Sequence, residues 1–422
     1  MNRAVLVLGS VPRVTTAIAR SLSPHSIPVD VAAFSPVEPR IPSRTIRHFW
    51  RIPDPDSNSA EFLDSLRNII QANGHDMLIP VNDVAMTAIV DHCDNLRELL
   101  YVACPPAAIA RRVLDKTVTM EIARAFGIRV PQSKIVSNSA EISTVAGQLG
   151  FPLVLKPAIK ERAEEFKTRL VANPEALGHL FPEPRQFPSP ILVQEYCAGN
   201  GVGIELLMHN GQSVAAFQHR RIKEYPHGGG VAVIAVAEAL DQKLLESSLS
   251  LLRALDWEGV AMVEFKIGKE AVLMEVNGRF WGTISLPIMA GIDFPLYLWK
   301  IAHDDQPHVP AMYRVGTRWR WSAGYIRRFR GLLSSAIRQA SAREKLMRDV
   351  KEAFHDFGLS TKDSLWKFSD PAPAVSESLG TAWEMVVSDF AKATQHFRHV
   401  FSKNRVNRDD NERQAVSSGS KS

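Results

Sequence analysis

The pattern of apolar residues changes character near residue 150, and that change limits the fold more than any single motif does. Before it, strands and helices alternate. Residues 5–8, Val-Leu-Val-Leu, form a continuous apolar run, as expected of a parallel strand buried on both faces. Gly9-Ser10 turns it into a helix near 13–22. Strands follow at 29–34, 77–81 and 102–103, with helices near 60–72 and 84–92. This alternation predicts an open parallel α/β sheet over residues 1–110. A helix at about 107–126 ends at Gly127, a residue suited to the left-handed position after a helix. A strand near 133–136 and a helix near 139–149, closed by Gly150, lead up to the change. From there strands dominate, at 152–156, 168–172, 191–196, 202–208, 213–219, 231–237, 259–267 and 271–276, with one helix near 241–255. Such a run predicts an α+β unit.

Several classes of protein fit poorly. The turn after the first strand has Gly9 but no G-x-G-x-x-G, so it reads as structural and not as a dinucleotide site. Cys93, Cys104 and Cys197 form no C-x-x-C and no even framework, which implies neither disulfides nor zinc. No apolar run reaches the length of a membrane span, and the first strand is too short for a secretory signal. The chain is therefore expected to be cytoplasmic. A net charge of +5 on 422 residues does not indicate nucleic acid. Arg314, Arg318, Arg320, Arg327, Arg328 and Arg330 alternate with Trp319, Trp321, Tyr325 and Phe329. That stretch reads as a helix packing its tryptophans inward with arginines reaching out, followed by a helix near 333–355. Residues 401–422 are polar and read as a disordered tail.

Four segments carry chemistry. In residues 263–279, two β runs flank Gly268-Lys269, a hairpin signal. A two-residue loop there pairs Ile267 with Glu270 and Glu264 with Leu273, placing Glu264, Leu273, Glu275 and Asn277 on one face. Two carboxylates and an amide oxygen on a rigid hairpin suit Mg²⁺, which takes phosphates as further ligands; a solvated polar face is the other reading. Lys156 ends an apolar strand before Pro157 and suits a phosphate partner, or plain solvation. Gln194-Glu195-Tyr196 ends a buried strand where freed backbone groups suit a purine edge, although an ordinary strand end looks the same. Arg220-Arg221 precede Gly228-Gly229-Gly230, a combination suited to anions or to a simple hairpin loop.

In order along the chain, these segments resemble the ATP-grasp superfamily, specifically its carbamoyl-phosphate-synthase-like carboxylate–amine ligases. The resemblance covers roughly residues 75–300. It also includes Pro80-Val81-Asn82-Asp83, Leu114-Asp115-Lys116 with Gly127 to Pro131, Phe151 to Pro157, and Glu275 through Gly282. It implies an N-terminal open parallel α/β (pre-ATP-grasp) domain at 1–110 and a two-lobed ATP-grasp domain at 111–305, with lobes 111–190 and 191–305. A basic, helical extension would occupy 306–400. The resemblance further implies that Lys116 and Lys156 contact ATP phosphates, and that Gln194, Glu195, Tyr196 and Glu205 belong to the nucleotide site. Glu264, Glu275 and Asn277 would hold Mg²⁺, with Mn²⁺ as a substitute. Arg279 would stabilise the transferring phosphoryl group, and Arg221 would face the acceptor. The expected partners are a small-molecule carboxylate and an amine, with no nucleic acid, and a homodimer is the default assembly. The sequence departs from the family at 158–167, which is charged and lacks glycine where a phosphate-covering loop is usual. An ATP-binding regulator without turnover, or a kinase, are the alternatives.

Overall fold

The computed structural model describes residues 3–34, 38–158, 168–226, 229–336 and 340–388. The chain divides into two compact units, Met1–Pro373 and Ala374–Ser422. The described part of the second, residues 374–388, is helix; the tail expected at 401–422 lies outside the described residues. No helix among the described residues is long and apolar enough to cross a membrane.

Strands β1 (Ala4–Leu8), β2 (Val29–Phe34), β3 (Ile46–Ile52), β4 (His75–Pro80) and β5 (Tyr101–Val102) form a five-stranded parallel sheet in the order β3-β2-β1-β4-β5. Every residue of β1 and β2 is buried. Helices α1 (Pro12–Leu22), α2 (Ser59–Asn73), α3 (Asp83–Val90) and α4 (Cys93–Arg97) complete the layer. Asp30, the second residue of β2, has no exposed surface. It accepts hydrogen bonds from Arg47 Nε at 3.0 Å and the His48 amide at 2.9 Å, and lies 2.9 Å from His75 Nε2. Burial pushes its pKa up, but the bonds from His75 and Arg47 outweigh it and hold the carboxyl down at about 2. Strand β3 was not foreseen, because its charged, half-exposed residues hide an edge strand.

The helix expected at 107–126 is broken at Asp115. That side chain accepts from the amides of Thr117 and Val118, ending α5 (Ala107–Leu114) and starting α6 (Lys116–Ala125). Then come β6 (Ser133–Asn138), α7 (Ser139–Leu149), β7 (Leu153–Pro157), β8 (Arg169–Val171), α8 (Pro174–Leu180) and β9 (Gln186–Glu195). They make an antiparallel sheet, order β6-β9-β7-β8, over a core of Ile142, Leu153, Leu155, Ile191 and Val193. All of β9 belongs to this sheet.

The third sheet has seven strands. Strands β10 (Asn200–His209), β11 (Gln212–Tyr225) and β12 (Val231–Glu238) are followed by helix α9 (Gln242–Ala254), then by β13 (Gly259–Ile267) and β14 (Ala271–Asn277). Helices α10 (Ser285–Ala290) and α11 (Phe294–Ala302) precede β15 (Arg318–Arg320), α12 (Ser322–Ala336), α13 (Ala340–Asp356) and β16 (Thr361–Asp363). The order is β14-β13-β10-β11-β12-β15-β16. The basic-aromatic stretch is therefore not one helix. Trp319 is fully buried within β15, and its flanking Arg318 and Arg320 pair with Asp356 and Asp363. Beyond β16, Asp370 returns to the N-terminal sheet layer. It accepts from Arg20 at 3.0 Å, from Ser43 Oγ at 2.6 Å and from the Arg44 amide at 3.1 Å.

Candidate functional site

The β13–β14 hairpin closes on a three-residue loop, Gly268–Glu270, with the Gly268 amide donating to the Glu270 carbonyl at 3.1 Å. The expected two-residue loop is thus replaced, and Ile267 pairs with Ala271 and Phe265 with Leu273. A register shift between Glu264 and Phe265 then skips Met274 and sets Glu264 directly opposite Glu275, with Met262 opposite Asn277. Leu273, expected beside the carboxylates, lies in the hydrophobic core with no exposed surface.

Arg221 reaches this pair from β11. It donates to Glu264 Oε2 and, at 3.1 Å, to the Gly230 carbonyl, and it lies 3.7 Å from Glu224. Burial lowers the guanidinium pKa, but Glu264 and Glu224 reverse this and raise it. Burial pushes Glu264 up; Arg221 opposes the rise and Glu275 adds to it. Asn277 Nδ2 donates to Glu275 Oε1 at 3.2 Å. Arg279 forms a two-point contact with Asp83 at the start of α3, at 3.1 and 2.9 Å, and so ties the end of β14 to the N-terminal layer. Among the described residues no group of three or more His, Cys, Asp or Glu side chains is placed to hold a metal. Two carboxylates and an amide do fit a cation that draws its remaining ligands from phosphate and water.

Two cavities adjoin over one face of the strand pair and share Arg221, Val231, Glu264 and Glu275. The first, of about 340 Å³, brings together Lys116 at the start of α6, Lys156 on β7, Gln194 on β9 and Tyr196 just beyond it. Gln194 is fully buried, and among the described residues neither its Oε1 nor its Nε2 has a hydrogen-bond partner. Lys266 and Met274 also line this cavity and were not singled out from sequence. Lys266 had a readable signal, since it follows Glu264 by two residues on one strand. The second cavity, of about 240 Å³, is lined by Arg13, Asn82, Asn277, Arg279 and Thr283 among others. Arg13, which sequence reading did not identify, places its guanidinium carbon over the Trp321 ring, 3.7 Å from its centroid.

Two of the expected nucleotide residues line neither cavity. Glu195 accepts from Arg129 at 2.6 Å and from the Gln132 amide at 2.7 Å. Glu205 is fully buried, 2.8 Å from His219 Nδ1, and accepts from Thr283 Oγ1 at 3.4 Å. Burial pushes the Glu205 pKa well above its ordinary value and lowers that of His219 to about 3. Arg220 faces away from the site and pairs with Glu238 at 2.5 Å. Of the triple glycine, Gly229 and Gly230 line the first cavity. A Cβ at Gly230 would fall 2.0 Å from the Tyr225 carbonyl carbon, so no other residue fits that turn. Gly228 and residues 159–167 lie outside the described residues.

Residues 187–324 match a family model described as ATP-grasp in the biosynthetic pathway with Ter operon. Over 177 residues the chain is 22% identical to the arginine-specific large chain of carbamoyl phosphate synthase from Bacillus subtilis (strain 168), covering 40% of this chain and 17% of that one. Over 86 residues it is 28% identical to the D-alanine–D-alanine ligase of Ectopseudomonas mendocina (strain ymp), covering 20% and 27%. The matched stretches thus span less than a third of the length of these curated relatives. Among solved structures, biotin carboxylase from Campylobacter jejuni superposes with a TM-score of 0.58 at 14% identity, covering 75% of this chain and 74% of that one. The L-amino acid ligase of Bacillus licheniformis gives 0.56 at 16% identity, covering 71% and 74%. The parallel N-terminal sheet, the four-stranded antiparallel sheet, the mainly antiparallel seven-stranded sheet and the matched segment 187–324 make this chain a protein of the ATP-grasp fold.

Proposed function

We propose that the protein is an ATP-dependent ligase that activates a carboxylate as an acyl phosphate and couples it to an amine. The observation that carries this reading is the first cavity. It has two lysines, a pair of carboxylates set opposite each other, and a buried amide with no partner among the described residues. Nucleotide has all three requirements: a polyphosphate for Lys116 and Lys156, a base edge for Gln194, and a phosphate-bound cation for Glu264, Glu275 and Asn277. Mg²⁺, when held there, neutralises phosphate charge.

The carboxylate substrate is assigned to the second cavity, which adjoins the first at the facing carboxylates. Its oxygen attacks the γ-phosphorus, ADP leaves, and the amine then displaces phosphate from the acyl carbon and loses a proton. Arg221, which borders both cavities, and Arg279 supply fixed positive charge where negative charge builds during transfer, so positioning and electrostatics carry the catalysis. Amino acids are a reasonable first substrate class to test, given the ligases among the similar proteins.

The test is to incubate the protein with Mg·ATP and pairs drawn from the twenty amino acids, following ADP and phosphate release beside product mass. Release of both only with a carboxylate and an amine present, with a mass equal to their condensation product, is expected. ADP with a stable phosphorylated product would make it a kinase. Tight ATP binding with no phosphate release for any carboxylate–amine pair would make it a nucleotide-binding regulator.

A further inference from the structure

The segment from β15 to β16 supplies neither lysines nor carboxylates to the two cavities, yet buried charge binds it to the strand that carries Arg221. Strand β11 shifts register twice within a few residues, between Arg221 and Lys223 and again between Lys223 and Glu224. A regular strand would put Arg221 and Lys223 on one face and Glu224 on the other. Here Arg221 and Glu224 lie together, 3.7 Å apart, while the Lys223 ammonium is buried among acidic residues of α13. It meets Asp356 at 2.5 Å, Glu352 at 2.9 Å and Asp349 at 3.4 Å.

Arg328 on α12 completes the arrangement. Its Nε and Nη2 take both oxygens of Asp349 at 2.6 and 3.1 Å, and its Nη1 donates to the Glu224 backbone carbonyl at 2.8 Å. Arg318 pairs with Asp356 at 3.1 Å, so three cations meet three carboxylates. Buried charges are tolerated only when every one is satisfied, and a fully satisfied cluster fixes its members in one geometry. What it fixes is a bulged strand, an arrangement that forfeits ladder hydrogen bonds and therefore needs such support. The consequence reaches the site in two contacts. The Glu224 carboxylate lies 3.4 Å from Lys266 and 3.7 Å from Arg221, and Arg221 in turn holds Glu264.

We infer that Arg328 and Lys223 are positioning residues for Arg221: helices α12 and α13 hold β11 in its bulged form so that the Arg221 guanidinium stays on Glu264 between the two cavities. The inference rests on the proposed roles of Arg221 and Glu264.

Arg328→Lys is the decisive variant. It keeps a charge beside Asp349 but loses the planar fork that holds Asp349 and the Glu224 carbonyl together. The first readout needs no substrate. The Nε–H signal of Arg221, identified by its loss in Arg221→Lys, is followed by ¹⁵N NMR in the full chain. Hydrogen exchange at that group should be about tenfold faster or more in Arg328→Lys than in the parent. The second readout is ADP release under the amino-acid conditions above. The kcat should fall about fivefold or more with the ATP KM within about twofold, and the same substitution should cost nothing further in the Arg221→Lys background. Should Arg328→Lys fail to fold, Glu352→Gln weakens the network from its half-exposed rim and is read in the same way. An unchanged Arg221 signal, or losses that add in the double variant, overturns the inference. A parent that neither binds nor turns over Mg·ATP overturns the proposed function instead, and the NMR comparison still decides whether α12 governs Arg221.

Discussion

Replacing Gln194 by leucine should move stability and nucleotide affinity in opposite directions. The side chain is fully buried and both its polar atoms lack partners among the described residues. A buried amide without compensation costs about 1–3 kcal/mol in mutational data. Leucine is close in size and has no polar atoms, so in the absence of ligand Gln194→Leu should stabilise the protein by about 1–3 kcal/mol. In a domain of 150–250 residues, each kcal/mol corresponds to about 2–4 °C in Tm, and in this larger unit somewhat less. A nucleotide base that satisfies both amide atoms loses two hydrogen bonds in the variant, about 1–2 kcal/mol net, or roughly 5- to 30-fold in Kd. Thermal unfolding without nucleotide gives the first quantity, and calorimetric titration with Mg·ATP gives the second. A variant less stable than its parent would show that the amide is already satisfied. A variant with unchanged affinity would remove Gln194 from the nucleotide site.

Four further outcomes are expected. Lys156→Met should weaken ATP binding more than adenosine binding, because only the triphosphate meets the ammonium; equal losses by calorimetry would indicate a general packing defect. Glu275→Gln removes one of two like charges set directly opposite each other, so the free protein should keep its Tm while the Tm gain from Mg·ATP shrinks. A gain equal to the parent's would mean Glu275 is no ligand. Arg279→Lys keeps the charge but loses the two-point contact with Asp83, and should bind ATP within about threefold of the parent while losing on the order of 10²-fold in kcat; lost affinity with unchanged kcat would assign it to binding. Asp30, held at about 2 against an ordinary 3.8, stabilises the fold fully above about pH 4. That contribution, about 2 kcal/mol, is lost as pH falls through 2, so Asp30→Asn should flatten the acid limb of a stability–pH profile between about pH 4 and 2. An acid limb as steep as the parent's would contradict the assignment.

The sequence carried the periodicity of most of the strands and so their places along the chain, but not their order within the three sheets. It failed where a single side chain overrides periodicity. Asp115 breaks a helical pattern by capping, and a third loop residue at Glu270 moves the pairing of β13 with β14 by one position. The carboxylates still face each other only because the shift at Glu264 compensates for the longer loop, and nothing in residue type announces a bulge. Long-range partners were equally hidden. Asp83 was legible as the end of a strand–helix turn, but not as the residue that grips Arg279 almost two hundred positions later. The β15–α13 segment looked like an appendage because its arginines resemble a solvated face until their acidic partners at 349, 356 and 363 are seen.

The return of Asp370 to Arg20, Ser43 and the Arg44 amide sets a timetable for synthesis. Residues of the N-terminal sheet leave the ribosome first and can pair early. The buried face of α1, including Val14, Ala17 and Ile18, belongs to a core completed by Phe280, Trp281, Phe294 and Leu298. Its anchoring carboxylate comes later still, about 350 residues after Arg20. At translation rates of about 5–20 residues per second, that interval is roughly 17–70 s. For most of it, until residues 280–298 emerge, the α1 face has only the first sheet's own residues, among them Val5, Val7, Val29 and Val31, to pack against. This exposed interval is where a folding helper would act, and chains released before residue 298 are the ones expected to aggregate.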